Sequence, residues 1–373
     1  MIEPNADLVV GASGMARWNE PDQRRRGFHN LHRIARYVQS WRAGTVLGLS
    51  DALDAGIAAR EDVVRLTGSP CFSAMVVVRG EEVVFERYAA DFGADCAHPI
   101  MSISKMVMML EIGRLWQAGL VGLDEKVGDI LPWAGAGYAG ARLQDVLDMN
   151  VLNDYSEDYA DPYCSVYAHE AAVGMRVPEV GDSRAFLAGV GLAAGAADTL
   201  NPTGVAMYRS ANTDILAAVA EVRGERPTSA IYAEIADAAG VEGALHMITD
   251  RGGFAFANGG ICMTARDLAR YGLLIARAGV GVDGHEVGSE AFIERTLAGG
   301  VPMPAPRGHI RYSNQTNTNG RWIGHGGYGG QYMLVDMATG TVGVFMSVLE
   351  NAAGYDAAYY PPIIAMLEAI CGG

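Results

Sequence analysis

Two β-hairpins at opposite ends of the chain constrain the fold more than anything between them. The run Ala74-Met75-Val76-Val77-Val78, the turn Arg79-Gly80-Glu81-Glu82 and the run Val83 to Tyr88 read as the first. Its leading strand is apolar without alternation, which predicts burial on both faces. The second comprises Gln331 to Asp336, a turn at Ala338-Thr339-Gly340 and Thr341 to Leu349, followed by a helix from about Pro362 to Ile370. If these hairpins share one sheet, the middle of the chain is an excursion from it. Helical periodicity dominates that middle, in Ser183 to Val190, Asp214 to Val222 and Ser229 to Ala239. The expected architecture is α+β, an antiparallel sheet flanked by helices with a helical insertion domain. Residues 1–148 and 277–373 would form the sheet domain with an N-terminal arm and 149–276 the mainly helical domain, with the active site between them.

Composition narrows the function. Half of the residues are apolar and 19% are charged, so the chain can bury a core. A formal net charge of −15 repels polyanions, which argues against nucleic acid or membrane and for a small-molecule substrate. After Arg24, Arg25 and Arg26, the apolar residues Leu31, Ile34, Ala35, Val38 and Trp41 fall at helical spacing and predict an amphipathic arm. The other reading of this arm is a basic patch for a partner, in which case the chain could be a non-catalytic scaffold. Five cysteines without a C-x-x-C pair argue for reduced thiols and against a zinc cluster. No basic leader with an apolar stretch is found, and no 18 apolar residues run uninterrupted, so a cytoplasmic location is expected. No metal or cofactor is called for. The oligomeric state is open, with a homodimer as one candidate.

Of 28 cationic side chains all but two, Lys105 and Lys126, are arginine. Lysine can lose its proton in a buried site and arginine cannot, so each lysine is a candidate for chemistry. Lys105 is the only charge between Pro99 and Glu111, in a segment apolar on every helical face. Burial there presses the amine toward its neutral form. Ser102 stands three residues earlier on the same face, close enough to give its proton to that amine. The spacing also suits an N-cap serine with a lysine that snorkels to solvent. A serine nucleophile further needs a proton relay and an oxyanion hole. Tyr208, in Tyr208-Arg209-Ser210-Ala211-Asn212, offers a hydroxyl, and the glycines of Gly324-His325-Gly326-Gly327-Tyr328 let a substrate oxygen approach the Tyr328 N–H.

Other motifs are weaker. Gly135-Ala136-Gly137-Tyr138-Ala139-Gly140 matches G-x-G-x-x-G but lacks the preceding strand a dinucleotide site needs. Neither a Walker A loop nor G-x-S-x-G occurs. The carboxylates Asp154, Glu157, Asp158 and Asp161 lack calcium-loop spacing and read as a solvated loop.

Taken together, S-x-x-K, Y-x-x-x-N and H-G-G resemble the serine β-lactamase and penicillin-binding-protein superfamily, especially its class C-like esterases and amidases. Three stretches, Tyr208 to Asp214, Phe254 to Gly260 and Thr264 to Arg270, are similar to those of the 6-aminohexanoate-dimer (nylon-oligomer) hydrolases. Thr264 and Asp267 also form a capping-box pattern in their own right. The resemblance implies a β-lactamase/transpeptidase-like fold, Ser102 as acylated nucleophile, Lys105 as base, Tyr208 as proton shuttle, and the N–H groups of Ser102 and Tyr328 as oxyanion hole. It further implies substrate contacts from Tyr159, Asn258 and His325, with Glu170 facing a cationic amine at the end of the acyl chain. Penicillin-recognising members usually carry lysine where this chain has His325, which weakens a β-lactam assignment. The resulting expectation is a serine hydrolase of small linear amides, with a carboxylesterase on the same machinery as the alternative.

Overall fold

The computed structural model describes residues 12–372; the first eleven residues, on which the search for a leader bears, and Gly373 lie outside them. Among the described residues thirteen strands form two sheets. β1 (Val38–Trp41), β2 (Ser50–Asp51), β3 (Phe72–Arg79), β4 (Glu82–Tyr88) and β5 (His98–Pro99) precede residue 100. β6 (Leu245–Ile248) and β7 (Ile261–Met263) lie mid-chain. β8 (Val301–Pro302), β9 (Arg311–Ser313), β10 (Thr316–Thr318), β11 (Trp322–Gly327), β12 (Gln331–Asp336) and β13 (Thr341–Ser347) follow. The large sheet runs β2-β4-β3-β13-β12-β11-β10-β9-β8, so both hairpins join in it, with β13 inserted between β3 and β12. All its pairs are antiparallel except β2 with β4.

The unbroken apolar run of β3 follows from its central place. Alternate residues face opposite sides. Ala74, Val76 and Val78 join Val342, Val344 and Met346 of β13 in one core, while Met75 and Val77 join Phe345 and Leu334 in the other. Two helices cover the two faces. A methyl group at Gly272 of Ala265–Ala276 would strike Val342, and one at the adjacent Gly343 would strike Leu367 of the helix Tyr360–Cys371. Thr264 caps the first of these helices by accepting from the Asp267 N–H, as the capping box predicts.

That helix lies across β13, β12 and β3, so on packing grounds we draw the boundary of the sheet domain before Thr264 and not after residue 276. The 149–276 segment, expected to be mainly helical, also contributes strands. β6 and β7 pair with β1 and β5 in a four-stranded sheet, order β1-β6-β7-β5.

The N-terminal arm is not one amphipathic helix. Short helices at Arg24–Phe28 and Leu31–Ile34 give way to an extended Ala35 and then to β1, with Val38 opposite Ile248 and Trp41 opposite Leu245. The edge of β6 offers the backbone of Val-Gln-Ser-Trp a ladder that suits its β-branched and aromatic residues, and this tertiary pairing overrides the helical spacing. The arginines also serve the body. Arg24 is buried and donates to the carbonyls of Leu349 and Asn351, at 2.9 and 2.6 Å, and to Asn19. Arg25 pairs with Asp91 at 2.5 Å. A partner-binding patch therefore loses two of its three consecutive charges. The G-x-G-x-x-G glycines serve packing instead of phosphate: a methyl group at Gly135 or Gly137 would lie 2.2 or 2.3 Å from the carbonyl oxygens of Val190 and Gly191.

Candidate active site

Strand β5 ends at Pro99, and Met101 turns the chain in the left-handed region at φ 48°, a conformation that costs a non-glycine residue about 1–3 kcal/mol. A 3₁₀ turn, Met101–Lys105, then runs into helix α1, Met106–Gln117. The apolar segment is therefore a strand end and a tight turn before it becomes a helix. Every residue from Met101 to Ile112 is buried. Lys105 is wholly buried, whereas Lys126 is exposed, so a snorkelling Lys105 is excluded. The Lys105 Nζ lies 3.0 Å from Ser102 Oγ, 2.9 Å from Ser210 Oγ and 2.6 Å from the Asn258 carbonyl oxygen. Ser102 is not an N-cap; its side chain meets the amine and lines a cavity.

Burial lowers the Lys105 pKa to about 8, against the pull of two nearby carboxylates, Glu157 and Asp214. Asp214 lies in the first turn of helix α2, Ala211–Gly224, fully buried, with Asn258 Nδ2 donating to its Oδ2 at 2.5 Å. Burial pushes Asp214 up, as it does Glu157. Both carboxylate oxygens of Glu157 are buried with no hydrogen-bond partner among the described residues. Glu157 therefore departs from the solvated-loop reading: it turns inward and lines the cavity, while Asp158 beside it is exposed. The Lys105 charge is the largest attraction acting on the Glu157 carboxylate, and burial outweighs it.

The cavity measures about 900 Å³. Tyr208, Tyr159, His325 and Tyr328 line it with Ser102. The ring of Tyr208 has Lys105 Nζ 5.1 Å from its centroid. Burial holds the Tyr208 hydroxyl well above its ordinary pKa, and the Ser102 and Ser210 hydroxyls pull it the other way. Tyr159 packs 4.8 Å from Tyr328 and 5.8 Å from Tyr355, centroid to centroid, forming an aromatic wall. The Tyr328 N–H donates to no group among the described residues, while its single hydroxyl proton can go to the Ala353 carbonyl at 3.0 Å or to Asn19 Oδ1 at 3.2 Å.

His325 on β11 is held as one neutral tautomer. Its Nδ1 lies 2.6 Å from the Gly326 carbonyl and can only donate there, which leaves Nε2 to accept from the buried Tyr312 hydroxyl at 3.1 Å. Burial, Lys105 and Arg307 hold its pKa down at about 3. The glycines beside it have a use that was not expected. What approaches Gly327 most closely is the chain itself: a methyl group there would lie 2.5 Å from the Ile100 carbonyl oxygen. β11 thus rests directly on the turn that carries Ser102.

Two expected contacts are not brought into the cavity wall. Asn258 is buried behind Lys105, where its carbonyl and amide hold Lys105 and Asp214. Glu170, on the helix Ser165–Ala172, accepts from Arg176 Nε at 2.5 Å, and Arg176 in turn lies 3.9 Å from the Tyr167 ring centroid. The neighbouring guanidinium takes the charge that Glu170 was expected to offer a substrate amine. Asn212, the last residue of Y-x-x-x-N, also points away: it holds Tyr138 and the Val146 carbonyl. Glu157, Ser210, Asp214 and Tyr312 were missed. Asp214 carried a usable signal, a lone acid opening the apolar run Ile215-Leu216-Ala217-Ala218.

Comparison with known proteins agrees with this arrangement of the fold. The model of the Beta-lactamase family matches residues 61–361. A 6-aminohexanoate-dimer hydrolase of Paenarthrobacter ureafaciens is 36% identical over 253 residues, which span 66% of this chain and 62% of that protein. The structure of a presumed 6-aminohexanoate-dimer hydrolase from Bacillus anthracis superposes with a TM-score of 0.82 at 18% identity, over 99% of this chain and 98% of that one. A D-stereospecific amidohydrolase from Streptomyces sp. gives 0.61 at 16% identity, over 86% and 99%. At such identities these two structures speak for the fold alone. With the family model spanning most of its length, the chain belongs to the Beta-lactamase family.

Proposed function

We propose that this protein hydrolyses small linear amides, of the kind found in aminohexanoate oligomers, through an acyl-enzyme on Ser102. The observation that carries the reading is the wholly buried Lys105 amine 3.0 Å from Ser102 Oγ at the wall of a cavity large enough for such a chain. As an ammonium, Lys105 fills all three of its donors with Ser102, Ser210 and the Asn258 carbonyl. As a neutral amine it keeps the last two and turns its lone pair to the Ser102 hydroxyl, which is the geometry of a general base. Ser102 Oγ attacks the carbonyl carbon while the carbonyl oxygen takes charge between the N–H groups of Ser102 and Tyr328. Tyr208 gives its hydroxyl proton to the leaving nitrogen and is reprotonated at the expense of the Lys105 ammonium, whose amine, neutral again, takes a proton from the water that hydrolyses the ester on Ser102. The five unpaired thiols suit a cytoplasmic setting. The relative named a 6-aminohexanoate-dimer hydrolase supports the choice of amide.

The test is covalent labelling by an active-site-directed phosphonate, read by intact mass, together with turnover of an aminohexanoate dimer and a matched ester. One adduct on the wild type and none on Ser102→Ala is expected, with dimer cleavage lost in Ser102→Ala and Lys105→Arg. Turnover retained in Ser102→Ala sinks the mechanism; turnover of the ester alone sinks the choice of amide.

A further inference from the structure

We infer that Arg307 is an anion-binding subsite of this cavity, recognising a carboxylate carried by the substrate. The inference rests on the hydrolase reading above and adds the charge of the molecule that enters. Arg307 lines the same cavity as Ser102, alongside Met303, Asn317, His325 and Tyr360. Its backbone is fixed in the loop between β8 and β9: its N–H donates to the Pro304 carbonyl at 3.0 Å, and its own carbonyl accepts from Ile310 at 2.9 Å. The Met303 N–H closes the loop on the Ile310 carbonyl at 2.9 Å.

The guanidinium on this loop has no carboxylate partner among the described residues, whereas Arg176 holds Glu170 and Arg321 holds Asp336. In a chain with a formal charge of −15, carboxylates are plentiful, so a half-buried arginine without one is a set of donors left open. The other arginine in the wall, Arg209, differs: it donates to the Tyr208 carbonyl at 3.0 Å and its charge acts on Glu157. The field of Arg307 falls on His325 and Tyr360 instead. The carboxylates of the wall, Asp154, Glu157 and Asp158, come from a different segment. A planar guanidinium with parallel N–H groups matches a carboxylate in a two-point hydrogen bond, which a neutral polar group cannot replace.

The test uses two amides that differ in one group, one with an amine half ending in a carboxylate and its twin ending in a hydroxymethyl group. Wild-type kcat/KM is expected to favour the carboxylate by roughly ten- to a hundredfold, mainly through KM, the range for a hydrogen bond to a charged group. Arg307→Ala should bring the ratio of the two substrates close to one, Arg307→Gln should do the same, and Arg307→Lys should keep part of it. A wild-type ratio near one, or equal losses on both substrates in Arg307→Ala, overturns the inference. Calorimetry of both amides on Ser102→Ala, with and without Arg307→Ala, separates the two claims because it needs no turnover. Tighter binding of the carboxylate that Arg307→Ala abolishes supports the subsite even if the hydrolase reading fails; equal binding of the twins overturns it even if hydrolysis is found.

Discussion

Gly327→Ala should yield a folded protein with little activity. A methyl group at this position would lie 2.5 Å from the Ile100 carbonyl oxygen, 3.1 Å from Met101 Cβ and 3.2 Å from Gln331 Cβ. A carbon–oxygen contact of this kind relaxes at about 3.3 Å, so β11 and the turn at Ile100 must part by roughly 0.8 Å. Ser102 follows that turn and Tyr328 follows Gly327, so the displacement falls between the two N–H groups proposed to hold the oxyanion. A misplacement near 1 Å costs about 10²-fold in rate, equivalent to about 2.7 kcal/mol in the barrier. The stability cost is that of an overpacked contact, about 1–3 kcal/mol. Gly326→Ala is the control. Its nearest neighbours are ring carbons of Tyr360 and Tyr332 at 3.2–3.3 Å, which can shift by the few tenths required. Both variants would be assayed for kcat/KM on an activated ester and for Tm. A Gly327→Ala enzyme within about threefold of wild type, or a Gly326→Ala enzyme equally impaired, would refute the reasoning.

Further expectations concern charge, proton delivery and the N-terminal segment. Glu157 stabilises the ammonium form of Lys105, so Glu157→Gln should lower the Lys105 pKa from about 8. Activity needs the neutral amine and rises with pH through that pKa, so the acidic limb of kcat/KM should move to lower pH by on the order of one unit. A limb that stays put or moves up contradicts the pairing. Tyr208→Phe removes the hydroxyl proposed to protonate the leaving nitrogen and should harm amide hydrolysis more than hydrolysis of an activated ester; equal losses would count against the shuttle. Arg24→Ala strips donors from the Leu349 and Asn351 carbonyls and should cost about 2–4 kcal/mol in a urea titration, by the usual penalty for buried acceptors left unpaired. A variant as stable as wild type would place Arg24 among the dispensable surface charges.

The parts of the molecule legible in the sequence are those where a local pattern and the tertiary contact agree. The hairpins Phe72–Tyr88 and Gln331–Ser347 were legible because a β-branched run bounded by Gly80 or Gly340 has one economical conformation. The closeness of Ser102 and Lys105 was legible because three residues make one turn, whether 3₁₀ or α. β1 was not, because its partner Leu245–Ile248 is remote in sequence and helical spacing was the only local clue. Glu157 was misread for a related reason: nothing within its loop distinguishes it from Asp158, and the buried amine that acts on it belongs to another segment. Glu170 failed in the opposite way, because the family resemblance implied its role without reckoning with Arg176 six residues on.

The place of β13 in the sheet bears on how the enzyme comes to be active at all. The hairpin β3–β4 is made early in synthesis and the β8–β12 meander late, and neither touches the other until the last strand enters between β3 and β12. Contacts so distant along the chain are slow to form. A nascent chain therefore carries Ser102 and Lys105 for most of translation, while the strand that brings the Tyr328 N–H alongside them is still unanchored. No shortened product ending before residue 341 should hydrolyse anything, and the return of activity after dilution from denaturant should keep time with the closure of this central strand, the slowest step, and not with the earlier recovery of helix.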